Sequence, residues 1–309
     1  MRIGLSHYSK FIKLFLVFAV WFACFLILLE LTLRLLGFLY LRIPDLNKAA
    51  RKDNFNIVCL GDSITYGWGV DRENNYPRQL EKMLNQRDHK IHFKVFNLAV
   101  PGSSSSQHLK YLEDILDKNK NVDLVVVLTG ANDPWNFADS NIYMFIGKKG
   151  FAERLNIKLR ILLSNFRTYK MLKIILLNSK GMPSESGIDC FRQVRRYEKV
   201  GKEILQALLE YNLTEMAKLA QRNKIKIILQ SYPRRQSYGM DLAQEVALRY
   251  HVPFVNHSLT FYEKLKKSNL ADLFLYDNTH PNKQGYELMA CSIYNVIISD
   301  NILKDNRLK

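Results

Sequence analysis

The stretch that decides the fold is FNIVCLGDSITYG, residues 55–67. Its first six residues are mainly apolar and have the length of a buried strand, and Gly61 and Gly67 bracket a turn after it. Ser63 lies in that turn, at the point where an α/β fold presents functional groups at the carboxyl edge of its sheet. The segment predicts a buried strand followed by a turn that holds a nucleophilic serine; ordinary turn chemistry is the alternative.

Four more apolar runs follow and alternate with amphipathic, helix-like stretches. The runs cover residues 91–96, 123–128, 226–230 and 252–255. Apolar residues recur at helical spacing in stretches that contain Tyr76 and Leu80, Leu109 and Leu112, residues 194–222, and residues 283–298. Strands that alternate with helices predict an α/β domain with a parallel sheet and helices on both of its faces.

Three further blocks of glycine and polar residues stand where they could carry chemistry. Gly102 follows the second run, Asn132 follows the third, and His280 precedes the last helix-like segment. If the sheet is parallel, Ser63, Gly102 and Asn132 emerge at the same carboxyl edge, where open α/β sheets bind ligands. We therefore expect these blocks to form one site.

These residue types suit acyl transfer from an ester. Ser63 offers a hydroxyl nucleophile, His280 can take its proton, and Asp277 can hold the other imidazole nitrogen. The backbone N–H groups of Ser63 and Gly102 and the side-chain amide of Asn132 can donate hydrogen bonds to an oxyanion. The sequence predicts a catalytic triad and an oxyanion hole with three donors.

Other polar residues in these blocks have structural interpretations. We expect Asp62 and Asp133 to fix turn geometry through hydrogen bonds to nearby backbone groups, because a glycosidase carboxylate pair would leave the serine and the histidine without a role. His108 and His257 have no acidic residue three or four positions earlier in a loop, and we expect them to be structural or exposed.

The four blocks together resemble the SGNH hydrolase superfamily, also called GDSL, whose name lists its Ser, Gly, Asn and His residues. The four predicted site residues stand in that order, and Asp277 completes the Asp-x-x-His pattern of His280. The resemblance covers roughly residues 55–300. It implies a flavodoxin-like, three-layer α/β/α sandwich, ester hydrolysis without a metal, and a serine on a turn that leads into a helix rather than in a Gly-x-Ser-x-Gly elbow.

The N-terminal region is much more apolar than the rest. Residues 14–29 carry no charge, and apolar character resumes as far as Leu41, interrupted by Glu30 and Arg34. Sixteen helical residues span about 24 Å, which is short of the ~30 Å hydrocarbon core, so the span must include apolar residues on either side. We therefore expect a tilted transmembrane anchor from Phe11 to about Leu36. A cleaved signal peptide is the alternative, although no small-x-small site follows the apolar stretch.

These patterns divide the chain into a cytoplasmic leader with the anchor over residues 1–41, a connector over 42–54, and a hydrolase domain over 55–304. Residues 135–190 break the alternation and predict a helical insertion. Within 148–180 there are nine Lys or Arg and one acid. This segment is interpreted as basic amphipathic helices that lie on a membrane surface or cover the site, or as an insertion that packs on the domain.

The chain has 309 residues and a formal net charge of +16. No zinc-finger, basic-zipper or RNA-recognition signature accompanies this charge, so we expect no nucleic-acid partner. On a protein tethered to a bilayer, a basic surface favours anionic headgroups or acidic polymers. The sequence has no Cys-x-x-Cys or His-Glu-x-x-His pattern, and we expect no metal and no other cofactor.

The combined prediction is a membrane-anchored serine esterase that removes acyl groups, acetyl above all, from cell-envelope carbohydrate, with its catalytic domain periplasmic or extracellular. Lipid acyl chains are the alternative substrate, as for a lipase, lysophospholipase or thioesterase. Acyl transfer to a sugar and a non-catalytic, glycan-binding module are further alternatives. The basic residues on both sides of the span leave its orientation open, and the sequence specifies no oligomeric state.

Overall fold

The computed structural model describes residues 3–40, 54–87, 91–118, 121–147, 150–178, 201–234, 241–300 and 302–303. The strands in these ranges are β1 Asn54–Gly61, β2 His92–Asn97, β3 Leu124–Leu128, β4 Lys226–Gln230 and β5 Phe254–Val255. The helices are α1 Ile3–Tyr40, α2 Ser63–Tyr66, α3 Tyr76–Arg87, α4 Ser105–Lys118, α5 Phe151–Ser164, α6 Arg167–Asn178, α7 Lys202–Arg222, α8 Leu242–Tyr250, α9 His257–Leu265 and α10 Lys283–Ser299. Short 3₁₀ turns span Arg72–Asn74, Ile142–Phe145 and Leu270–Asp272.

The five strands form one parallel sheet in the order β2-β1-β3-β4-β5. This is the flavodoxin-like order, in which the connections diverge between β1 and β3 and open a crevice at the carboxyl ends of those strands. The register pairs Cys59 with Asn97 and Gly61 with Leu128, so β1, β2 and β3 end at nearly the same level. The turns after these three strands therefore converge on the crevice.

Helices cover both faces of the sheet because alternate strand residues point to opposite sides. Val58, Leu60 and Val127 are among the buried residues on one side, where they pack with α4, α7 and α8. Ile57, Cys59 and Val126 face the other side, where α3, α9 and α10 cover them. Each fully buried Leu or Ile contributes roughly 1.5–3 kcal/mol. The predicted three-layer α/β/α sandwich is confirmed.

The predicted strands match the observed ones closely, except that β5 is limited to Phe254–Val255. Helices α8 and α9 were not predicted, and the helix expected from about residue 194 begins at Lys202, with 194–200 outside the described residues. The segment 135–190 contains α5 and α6, and its residues 179–190 lie outside the description. Residues 42–53 of the expected connector also lie outside the described residues.

The described residues form two compact units. One consists of α1 with residues 162–178, and the other contains the whole sheet and the remaining helices. In the first unit, Lys10–Leu39 contains an 18-residue window with a mean hydropathy of 2.7, and the segment is long and apolar enough to cross a membrane, as an anchor or as a signal sequence. The division into leader, connector and hydrolase domain stays a prediction.

Candidate active site

Ser63 lies immediately beyond β1, as the first residue of the single-turn helix α2. The Oδ1 atom of Asp62 accepts a hydrogen bond of 3.0 Å from the Ile64 N–H and so caps this turn. Gly67 ends it with φ at +90°, a conformation that glycine adopts at little cost. The strand end and the two caps thus place the half-buried Ser63 hydroxyl at the crevice.

His280 and Asp277 reach Ser63 from the loop that precedes α10. The Ser63 Oγ lies 2.8 Å from the His280 Nε2, and the His280 Nδ1 lies 2.6 Å from the Asp277 Oδ2. The other carboxylate oxygen, Asp277 Oδ1, accepts the backbone N–H groups of Thr279 and His280, both at 2.9 Å. With a proton on Nδ1, the imidazole donates to Asp277 and its Nε2 accepts from the Ser63 hydroxyl.

Two opposing effects act on the Asp277 carboxyl. Its partial burial disfavours the charged form, but the hydrogen bonds from the His280 side chain and from the backbone of His280 and Thr279 favour it and together hold its pKa below the usual value. Asp277 is therefore ionised near neutral pH. A carboxylate in this position can orient the imidazole and stabilise its protonated form.

Gly102 and Asn132 occupy the turns after β2 and β3. Gly102 has φ at +75°, and a side chain there would meet the Trp135 ring at 3.1 Å. The Asn132 Nδ2 donates to the Asp62 Oδ2 at 3.2 Å and to the Ser103 carbonyl at 3.0 Å. The structure thus brings Asn132 to the residues next to Ser63 and next to Gly102, with both amide protons engaged.

Trp135 fixes the orientation of the Asn132 side chain. Its indole Nε1–H donates to the Asn132 Oδ1 at 2.7 Å. An indole N–H can only donate, so the atom it contacts must be the carbonyl oxygen of the amide and the Nδ2 must point the other way. The same ring lies against Gly102. One aromatic residue therefore contacts both of these predicted oxyanion donors.

Asp62 is the centre of a buried network behind Ser63. Its Oδ2 accepts the Tyr232 hydroxyl at 2.7 Å as well as the Asn132 amide, and the Tyr232 oxygen accepts the Ala131 N–H at 3.2 Å. Burial raises the pKa of Asp62, and the hydrogen bonds from Tyr232 and Ile64 act in the opposite direction. The network ties the ends of β1, β3 and β4 together.

The remaining residues singled out in the sequence are buried. His108 lies between Ser103 Oγ and Thr129 Oγ1, and His257 contacts the Gln230 side chain, so both are structural as expected. Asp133 does not bond its own turn; its carboxylate accepts the backbone N–H and the hydroxyl of Ser105, the first residue of α4. This ties the β3 turn to a helix rather than fixing the turn itself.

Three residues near the site are not among those predicted from the sequence: Trp68, Trp135 and Tyr232. The Trp68 ring is 48% exposed and its centroid lies 6.5 Å from that of the His280 imidazole. Tyr232 follows β4 by two residues, so the rule that functional groups gather at carboxyl strand ends could have found it. Among the described residues, no group of three or more His, Cys, Asp or Glu side chains is placed to hold a metal ion.

Comparisons with known proteins give one family match and several similar solved structures. The GDSL-like lipase/acylhydrolase family matches residues 59–288. Similar solved structures include TesA (18% identical, TM-score 0.47, 78% of this chain and 97% of that chain) and the psychrotrophic esterase EstA from Pseudoalteromonas sp. (16%, 0.48, 82% and 100%). The acetylxylan esterase Axe2 from Geobacillus stearothermophilus is a third (19%, 0.47, 80% and 96%).

Sequence similarity to a curated protein is local. An uncharacterized protein of Mycoplasma pneumoniae is 33% identical over 82 residues, which is 26% of this chain and 9% of that protein. The family match, by contrast, extends over more than half of the chain. The protein is accordingly a serine hydrolase that acts on ester bonds and belongs to the GDSL-like lipase/acylhydrolase family.

Proposed function

We propose that the protein hydrolyses acyl esters, acetyl esters above all, with Ser63 as nucleophile, His280 as general base and Asp277 as the residue that orients it. The observation that carries this proposal is the continuous chain from Ser63 Oγ to His280 Nε2, at 2.8 Å, and from His280 Nδ1 to Asp277, at 2.6 Å. A serine hydroxyl is a weak nucleophile unless an adjacent base takes its proton.

The reaction then follows the order that this geometry permits. The Ser63 Oγ attacks the acyl carbonyl while its proton moves to the His280 Nε2, and the imidazolium is stabilised by the ionised Asp277. His280 returns the proton to the leaving alcohol as the acyl–oxygen bond breaks. Water, deprotonated by His280, attacks the acyl-enzyme, and His280 returns this proton to the Ser63 Oγ as the bond between Oγ and the acyl carbon breaks and the acid leaves. The backbone N–H groups of Ser63 and Gly102 and the Asn132 amide donate to the oxyanion.

The proposed role of Asn132 requires one change in its hydrogen bonds. Both Nδ2 protons are engaged, and the contact to Asp62, at 3.2 Å, is longer than the one to Ser103. We propose that the oxyanion takes over the proton now directed at Asp62, whose Oδ2 keeps the Tyr232 hydroxyl.

Carbohydrate is the substrate class that we propose. Trp68 lies beside His280, and Trp135 lies against Gly102, so indole rings stand next to two parts of the site. The flat C–H faces of sugar rings pack on aromatic rings. An acetyl group is small enough to reach the nucleophile without the long acyl-binding channel that a fatty acyl chain needs. Lipid acyl chains are the second candidate, favoured by the exposed apolar side chains of Phe151, Leu155 and Leu159 along α5.

We also propose that α1 is a single-pass membrane anchor and that the catalytic domain is periplasmic or extracellular, where envelope carbohydrate is found. The apolar stretch of α1 is the support for the anchor. The basic segment 148–180 is proposed to add contacts with the membrane surface. An uncleaved N-terminus in the protein isolated from membranes would separate an anchor from a signal peptide.

The nucleophile is tested with a fluorophosphonate probe that labels active-site serines. We expect the wild-type chain to be labelled and Ser63→Ala to be unlabelled, because the probe needs the activated hydroxyl. His280→Ala should also lose labelling while its Ser63 is intact. Labelling of Ser63→Ala at the wild-type rate would place the nucleophile elsewhere.

Asn132→Ala tests the oxyanion donor. Removing one such donor costs about 10²–10³ in kcat, or about 3–4 kcal/mol, so we expect a loss of that size in the hydrolysis of p-nitrophenyl acetate. Asn85→Ala is the matched control, since Asn85 makes two hydrogen bonds to Phe93 away from the site, and its loss should leave kcat unchanged. A change below about threefold for Asn132→Ala would remove it from this role.

A series of p-nitrophenyl esters of increasing chain length separates the two substrate classes. A preference for acetate that is matched by release of acetate from acetylated oligosaccharides supports the carbohydrate proposal, whereas a preference for long chains supports lipid. Product analysis with an added sugar acceptor would reveal transfer. Binding of acylated glycans without any turnover would favour the non-catalytic module.

A further inference from the structure

The apolar helix α1 carries an acidic residue, Glu30, that accepts a hydrogen bond from Arg34 one turn later at 2.8 Å and several more from another part of the same unit. The Glu30 Oε1 accepts the backbone N–H of Arg167 at 3.1 Å, and its Oε2 accepts the backbone N–H of Thr168 at 2.9 Å and the Thr168 hydroxyl at 2.6 Å. The Glu30 side chain is only 13% exposed. The carboxylate thus satisfies the orphan N–H groups that begin helix α6, and we call this contact the Glu30 cap.

Further contacts hold the same two segments together. The Arg34 side chain donates to the Asn165 carbonyl at 3.0 Å, and the Arg167 side chain donates to the Leu33 carbonyl at 2.9 Å. At Gly37 a Cβ atom would overlap the Arg167 guanidinium, so glycine leaves room for it. The start of α6 is therefore fixed to the stretch of α1 between Glu30 and Gly37.

This stretch has a definite depth if α1 spans a bilayer. The uncharged residues 14–29 cover about 24 Å of helix, less than the ~30 Å hydrocarbon core, so Glu30 lies in the last part of the span, close to the level of the headgroups. Charged side chains within spans are costly unless they are paired and near the interface. The Glu30 cap accordingly holds the first turn of α6 at the level of the membrane interface.

Helix α6 has the side-chain distribution of a helix that lies in that interface. Its exposed apolar residues Leu172, Ile175 and Leu176 are 47–60% exposed and fall within an arc of about 100°. Its basic residues, Arg167, Lys170 and Lys173, are centred on the opposite side of the helix, on an arc that also includes sequence positions 174 and 177. Residues 162–178 contain no acid.

We propose that α6 lies on the surface of an anionic bilayer, with its exposed apolar arc inserted between the headgroups, and that the Glu30 cap holds it there. Amphipathic helices with basic polar faces bind lipid surfaces in this way. The proposal rests on the proposed membrane anchor, and it explains why the apolar helix α1 carries the acidic residue Glu30. It is independent of the ester that the catalytic unit cleaves.

The test measures the depth of α6 in the full-length chain, reconstituted in vesicles of phosphatidylcholine with a minor fraction of phosphatidylglycerol. Spin labels are attached through Leu172→Cys, Ile175→Cys or Lys170→Cys, after Cys24, Cys190 and Cys291 are replaced; Cys59 is buried and stays. We expect labels at 172 and 175 to be exposed to oxygen and shielded from a nickel chelate, and the label at 170 to show the reverse. Equal nickel access at all three positions overturns the proposal.

The Glu30 cap is tested by Glu30→Ala in the same labelled chains. We expect nickel access at position 172 to rise several-fold, with Glu30→Gln between the two, because an amide accepts through one oxygen only. Vesicle flotation and esterase activity should be unchanged, which shows that the chain is folded and anchored. Unchanged nickel access in Glu30→Ala overturns the role of the cap. Failure of the unaltered chain to float with vesicles overturns the anchor, and this inference with it, but leaves the esterase proposal intact.

Discussion

At the scale of single residues, Trp135 determines how Asn132 can act. A side-chain amide can be rotated to exchange its oxygen and nitrogen, and in the wrong orientation Asn132 would present an acceptor to an oxyanion. The Trp135 N–H, 2.7 Å from Oδ1, makes that orientation unfavourable because it would face an NH₂ group. In the proposed mechanism Trp135 is thus a positioning residue, which acts on kcat through Asn132.

Trp135→Phe keeps an aromatic ring against Gly102 and removes the N–H. The loss of one neutral hydrogen bond corresponds to about 1 kcal/mol, so we expect kcat for p-nitrophenyl acetate to fall by about five- to tenfold. KM should change little, because the oxyanion forms only after binding. Steady-state kinetics measures both constants.

A double-mutant cycle separates positioning from a general structural effect. If Trp135 acts through Asn132, Trp135→Phe should have no further effect on kcat in the Asn132→Ala background. An equal loss in both backgrounds would show that the indole acts by another route. A rise in KM with kcat unchanged would make Trp135 a substrate contact instead.

The hydrogen-bonded arrangement of Ser63, His280 and Asp277 was predictable from sequence at this scale, and the network behind it was not. Asp277 and His280 are three residues apart, and a local turn brings them together, so their spacing alone indicates the pair. Tyr232 and Asp62 are separated by 170 residues, and nothing in the neighbourhood of either indicates the other. Their contact depends on β1 and β4 ending at the same edge of the sheet, which requires the strand order.

At the scale of secondary-structure elements, the apolar pattern was sufficient for the buried strands. β1, β3 and β4 are covered on both faces and appear as nearly continuous apolar runs. Helices α8 and α9 are short and half exposed, so their apolar positions are too few to give a clear helical period. The weak signal at β5 has a similar cause, since only two of its residues pair with β4.

The element that presents His280 is the capped start of α10. The Asn282 Oδ1 accepts the N–H groups of Gln284 and Gly285, at 3.0 and 3.1 Å, and its Nδ2 donates to the Ala271 carbonyl at 2.9 Å. Both sets of hydrogen bonds fix the loop two residues from His280. Stability of this helix end and placement of His280, the proposed general base, are therefore coupled.

Asn282→Ala removes the cap of α10 and the bond to Ala271. We expect the free energy of unfolding to fall by about 1–2 kcal/mol and kcat to fall several-fold, because His280 loses its fixed position. Urea unfolding and ester hydrolysis measure the two effects. Asn282→Asp is the matched control, since a carboxylate still caps the helix and should recover most of the stability. Equal destabilisation by both changes would show that the cap is unimportant here.

At the scale of the whole molecule, burial gives the catalytic unit several groups that respond to pH in opposite directions. Burial lowers the pKa of His257 from 6.5 to about 3 and raises that of Asp133 from 3.8 to about 7. The unfolded chain binds a proton at His257 below about pH 6.5 while the folded chain does not, so this contribution to stability is lost as pH falls. Asp133 holds a proton in the folded chain that the unfolded chain has released, so its contribution is lost as pH rises towards 7.

Two substitutions isolate these opposite contributions in the full-length protein. His257→Gln keeps a donor for the Gln230 oxygen but cannot titrate. Between about pH 4.5 and 6, the free energy of unfolding of this variant should therefore rise with pH less steeply than that of the wild type, by up to about 1.4 kcal/mol per pH unit. Asp133→Asn should make the dependence steeper by a similar amount. Urea unfolding in detergent at three pH values gives both slopes. A parallel downward shift of the whole curve in either variant would show that the group contributes packing and hydrogen bonds only, with no titration linked to folding.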